Sequence, residues 1–237
     1  MISGKETDDV SGAARPARGD SPLDEVDEHQ ATDADGCAAA GPAEEADEMV
    51  EEASPKPPPA NVAELAAACV RFVATRYGAA LDFAPETLSF VDHWLREART
   101  DVTERPEAAE LVQAAAGAYL GEVIRRTFGG FWLAEGSHAE WRLGLERVYC
   151  AFNPIGMARE ALLLEPAEGW HAHFELDPGE AEAMGERLAA LPPATDEEYY
   201  APSTRFDVVS ILFEALRTGM RARGLSDVRF APEDYSS

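Results

Sequence analysis

The sequence predicts an α+β domain: helices first, a small and mostly antiparallel sheet of about four strands in the middle, and helices again at the end. Three observations carry this. All twenty Phe, Tyr and Trp side chains fall within residues 61–237. Inside that span, apolar residues recur at helical spacing before residue 128 and again after residue 178. Between these stretches short segments alternate with a period of two, as strands do.

Residues 1–60 hold 16 acidic and 4 basic side chains, a net of −12, and no aromatic residue. Such a segment buries too little apolar surface to offset its chain entropy, so a disordered acidic arm is expected. Ser54-Pro55-Lys56-Pro57-Pro58-Pro59 closes it as an extended spacer. Deleting residues 1–58 is expected to leave the melting of the rest nearly unchanged. Residues 61–237 form the single folded domain, with 29 acidic and 16 basic side chains and a net of −13. That size supports one hydrophobic core.

The elements follow in order. Val62, Leu65, Ala66, Cys69, Val70, Phe72 and Val73 lie at helical spacing up to Tyr77-Gly78. Pro85 suits the first turn of a second helix that puts Leu88, Val91, Trp94 and Leu95 on one face. Pro106 opens a third, running to Phe128 and stopped by Gly129-Gly130. Phe131 to Leu133 and Trp141 to Leu145 read as strands around a Gly136-Ser137-His138 turn. Val148, Cys150 and Phe152 alternate as a third strand. Asn153 then caps, and Pro154 begins, a short helix through Leu164. From Trp170 to Leu176 the alternation is clean, with His171, His173 and Glu175 on the face opposite Trp170, Ala172 and Phe174. Asp177-Pro178-Gly179-Glu180 reads as cap, first-turn proline and box glutamate of a helix ending before Pro192-Pro193. A loop carrying Tyr199-Tyr200 leads to Thr204, the expected cap of a strongly apolar final helix. Phe83-Ala84-Pro85-Glu86 and Phe230-Ala231-Pro232-Glu233 both read as turn-to-helix starts.

Charge and composition limit the function classes. A surface of this sign repels phosphate backbones and anionic lipid, so neither nucleic acid nor membrane is the expected partner. No run approaches the roughly 20 apolar residues that span a bilayer, and the first residues lack the apolar core of a secretory signal. A cytoplasmic protein is expected. Both lysines, Lys5 and Lys56, lie in the arm, so no lysine nucleophile is available in the domain. Cys37, Cys69 and Cys150 form no C-x-x-C pair. Phosphate-loop, dinucleotide, serine-elbow and His-Glu-x-x-His motifs are absent, and no cofactor is expected.

The segment Gly117-Ala118-Tyr119-Leu120-Gly121-Glu122-Val123-Ile124-Arg125-Arg126, followed by Gly129-Gly130-Phe131-Trp132, resembles a pattern in uncharacterised bacterial domain families. There a helix with a Gly-Glu pair precedes a Gly-x-Trp strand entry, further strands and an Asn-Pro-led helix like Asn153-Pro154-Ile155-Gly156. The resemblance covers about residues 61–175 and implies an α+β fold. Those families are domains of unknown function, so no catalytic role carries over.

Two constellations could carry chemistry. Two glycines one turn apart weaken a helix by roughly 1 kcal/mol each relative to alanine, so close approach by another element is expected at Gly117 and Gly121. Beside them, Tyr119, Glu122, Arg126 and Trp132 are candidate binding residues, either at a pocket mouth or as a Glu122–Arg126 pair along the helix. His171, His173 and Glu175 have the only metal-like spacing. Zinc needs three or four donors at roughly 2.0–2.2 Å, so a further donor would have to join them. Tyr199 and Tyr200 suit a contact surface, because tyrosine joins apolar area to a polar tip.

The expected function is a non-enzymatic protein-interaction module with a protein partner, a basic one by charge. An immunity-like or inhibitory domain, its acidic face covering a basic active site, is one version. The alternative is a small hydrolase or metal-dependent enzyme using His171, His173 and Glu175, or a Glu122–Tyr119 pocket.

Overall fold

The computed structural model describes residues 57–235. The expected acidic arm falls on residues outside these, apart from its last four. Helix α1 (Ala60–Tyr77) starts directly after Pro59 and buries Val62, Ala66, Cys69 and Val73. A 3₁₀ turn at Pro85–Thr87 leads into α2 (Leu88–Glu104), whose buried face includes Leu88, Val91, Trp94 and Leu95. Helix α3 (Ala108–Phe128) is central, with an unbroken buried run from Gln113 to Arg125. It stops where Gly129 adopts φ +75°, a conformation that costs glycine little.

The sheet follows at once. Strands β1 (Gly130–Leu133), β2 (Arg142–Leu145), β3 (Cys150–Phe152) and β4 (Glu175–Leu176) pair in sequence order, each antiparallel to the next. Asn153 then caps α4 (Pro154–Leu163), its Oδ1 accepting the N–H groups of Ile155 and Gly156. Helix α5 (Pro178–Ala189), the short α6 (Asp196–Tyr200) and α7 (Pro202–Ala222) complete the domain, before a 3₁₀ turn at Pro232–Tyr235. The fold class is α+β, as the periodicities predict.

Gly117 and Gly121 are where α3 meets α4. A Cβ on Gly117 would lie 2.4 Å from Ile155 Cα, and one on Gly121 would lie 2.2 Å from the Trp132 ring. The helix-propensity cost of both glycines is thus offset by packing that no side chain would allow.

Local expectations fail at four points. The strand expected over Trp170–Leu176 is reduced to Glu175–Leu176. Gly169 (φ +77°) and His171 (φ +50°) are left-handed, which turns the backbone out of any pleat. The chain bends there to hydrogen-bond the start of α4, with the Asn153 N–H donating to the His171 carbonyl at 2.8 Å. Tyr199-Tyr200 is not a loop but the end of α6, which Thr195 and Glu198 close with a reciprocal capping box. Thr204 is not a cap; it sits inside the first turn of α7, which Pro202 begins. Glu180 makes no box either, since it pairs with Arg223 at 2.6 Å while Asp177 accepts the Gly179 N–H.

Candidate functional site

Glu122 sits at the C-terminal half of α3, 1% exposed. Its Oε1 accepts the Arg125 Nε–H at 2.8 Å and the Trp132 indole N–H at 2.9 Å, and its Oε2 accepts Arg125 Nη2 at 2.9 Å. The two-pronged Arg125 contact has the geometry that makes guanidinium–carboxylate pairs strong. Arg126, half-exposed, approaches Oε2 only to 3.6 Å. The expected i,i+4 pair therefore exists, but the i,i+3 neighbour is the principal partner. Arg125 is the residue that helical spacing alone did not select.

Arg126 is instead used above an aromatic ring. Its guanidinium lies 3.7 Å from the centre of Phe83, and Phe83 stacks on Tyr119 at 4.9 Å. Phe83 has φ +67°, an uncommon state for a bulky side chain. Its N–H donates to the Tyr119 hydroxyl at 3.0 Å, and that oxygen also meets Thr87 Oγ1 at 2.6 Å. Burial pushes the Tyr119 phenol up, with the Thr87 and Phe83 hydrogen bonds opposing. Tyr119, Phe83, Arg126, Glu122 and Trp132 thus form one continuous chain of contacts. They are brought together as a packed network. Trp132 borders a polar cleft of about 470 Å3 shared with Glu135, Glu140, Arg142 and Tyr235. Neither Glu122 nor Tyr119 lines it.

The histidine group is spread. His171 Nδ1 lies 3.0 Å from Glu175 Oε1, and Arg142 holds the other Glu175 oxygen at 2.8 Å. The His171 and His173 rings are 6.3 Å apart. Among the described residues, no three His, Cys, Asp or Glu side chains converge as a metal site requires. The left-handed turn at His171 is the cause, since it breaks the common face that a strand would have supplied. Cys69 and Cys150 are buried free thiols, and burial pushes Cys150 up to about 12 and Cys69 up as well. A thiol so shifted supplies almost no thiolate at neutral pH.

Tyr199 and Tyr200 stand on α6 above Arg205 of α7. The Arg205 guanidinium is 4.3 Å from the Tyr199 ring centre and 5.3 Å from that of Tyr200. Arg205 is itself buried and pairs with Glu160 of α4. Tyr199 is 49% exposed. Its helix neighbours Glu197 and Glu198 line a second polar cleft, about 420 Å3, together with Asp92, Arg96 and Ser203. Hydrogen bonds hold these carboxylates in place: Arg96 pulls Glu197 below the usual carboxylate range, and the Thr195 N–H does the same to Glu198. Asp92 accepts the Ser203 N–H and hydroxyl, so a carboxylate from α2 caps α7. Burial raises Asp92 nonetheless. Asp92 and Arg205 were missed by sequence reasoning; their partners lie 111 and 45 residues away, and no local pattern announces them.

A family model described as a family of unknown function (DUF6278) matches residues 39–143. The matched stretch contains Tyr119, Glu122, Arg126 and Trp132 but stops short of His171 and of the α6 tyrosines. No curated protein and no solved structure matches the chain. Among the described residues, no helix is long and apolar enough to cross a membrane.

Proposed function

We propose that the domain is a non-enzymatic protein-interaction module that contacts a basic partner through the α6 face. One observation carries this reading: Tyr199 is half-exposed yet braced from below by the Arg205 guanidinium. An exposed aromatic ring that is already held loses little conformational freedom on binding, and such rings dominate contact energies. The cleft lined by Glu197 and Glu198 of the same helix and by Asp92 holds three carboxylates against Arg96, with Arg99 also on Glu197. This acidic surplus suits a lysine or arginine side chain. The net of −13 over residues 61–237 supports the same sign of partner.

Affinity capture from native lysate tests it, with the full chain and its Tyr199→Ser variant side by side. The expected result is one stoichiometric basic partner that is lost from the variant and weakens as salt rises. Equal capture by both proteins would remove Tyr199 from the contact and with it this reading.

A further inference from the structure

At the far end of α7, roughly 25 Å from Ser203 by helical rise, a cavity of about 230 Å3 opens between α5, α7 and residues 225–230. Its apolar wall is Tyr149, Leu216, Met220, Leu225, Val228 and Phe230. Leu225 and Val228 are 41% and 36% exposed, so two of the domain's few exposed large aliphatic residues stand together at one cavity. Scattered exposed leucines mean nothing, but a concave apolar group does.

The polar members of the wall are already committed. Glu180 pairs with Arg223 at 2.6 Å, and Asp177 Oδ1 accepts the Gly179 N–H at 2.9 Å as the cap of α5. Of the lining charges, Glu180 and Arg223 offset one another and Asp177 is exposed to water, so a charged guest finds no unpaired buried counter-charge to offset its desolvation. The Tyr149 ring is fixed by a parallel stack on Tyr235 at 4.8 Å and an edge contact with Phe230 at 5.6 Å. Its hydroxyl makes no hydrogen bond to any described residue. A guest ring would extend this aromatic group, and the Met220 thioether favours an aromatic neighbour as well.

We propose that this cavity binds a small neutral aromatic molecule with one hydrogen-bonding group, of the indole or phenol class. The volume is below the roughly 300–1,000 Å3 of pockets for drug-sized ligands, so the guest is a one- or two-ring compound. The site lies apart from the α6 face and stands or falls independently of it.

The test is titration of indole into the full chain, followed by NMR of the Met220 methyl group. Benzoate and benzylammonium serve as charged comparators of similar size. Val228→Trp fills the cavity mouth at an exposed position, and its melting temperature verifies the fold. Tyr149→Phe removes only the hydroxyl. The expected result is saturable binding of indole with a dissociation constant of about 1 mM or tighter. Both charged comparators bind at least about tenfold more weakly, Val228→Trp abolishes the shift, and Tyr149→Phe weakens it about three- to tenfold. Absence of saturation, charged comparators that bind as well as indole, or either variant binding like the parent chain would overturn the proposal.

Discussion

Glu122 is the residue on which the centre of the domain turns. A carboxylate only 1% exposed is tolerable because Arg125 and the Trp132 indole satisfy its oxygens. Removing one member of a buried pair typically costs about 3–5 kcal/mol. Glu122→Leu is therefore expected to lower the denaturation free energy by that amount and to change the Trp132 fluorescence. Arg126→Ala is expected to cost less than about 1 kcal/mol, because that side chain is 44% exposed and its contact with Glu122 is long. Urea denaturation of the two variants separates the roles. Equal losses would contradict the assignment of Arg125 as the main partner. Sequence spacing brought Arg125 and Arg126 equally within reach of Glu122; the fold buries Arg125 beside it and sets Arg126 over Phe83.

The helices show where local chemistry is legible and where it is not. Asn153-Pro154 announces its own cap, because both residues act within one turn. The glycines of α3 announced a close approach but not its identity, which is the backbone of α4 at Ile155 for Gly117 and the Trp132 ring of β1 for Gly121. Gly117→Ala gains about 1 kcal/mol in propensity but forces a methyl group against backbone atoms that cannot move aside. A net loss of at least about 1 kcal/mol is expected. Gly185→Ala in α5 meets nothing within 4 Å and is expected to stabilise by up to about 1 kcal/mol. Thermal melts of the two alanine variants read out the opposite signs. Between α2 and α7 the decisive group is Asp92, whose carboxyl is raised by burial although the Ser203 hydrogen bonds oppose it. A carboxyl with a folded pKa above its unfolded value binds more protons when folded. Its contribution thus favours the fold at low pH and is lost as pH rises through the folded value. Between the ordinary value of 3.8 and that raised value, Asp92→Asn should flatten the rise in stability on acidification. Matched pH–stability curves for the two proteins check it; parallel curves would contradict the shift.

At the scale of the molecule, the order of helices, sheet and helices was written in the change of period along the chain. What stayed hidden was long-range: the Asp92 cap on α7, the Glu160–Arg205 pair under the tyrosines, and the bend at His171 that dissolves a strand-like alternation. Each depends on a partner that no window of local sequence contains. The same long-range packing turns Tyr199 from a loop residue into a braced surface ring. A photo-crosslinking amino acid placed at position 199, with Phe90 as an exposed control site, tests that surface in cells. One adduct, to a basic protein, is expected from position 199 and not from position 90. No adduct from position 199, or the same adducts from both sites, would contradict it.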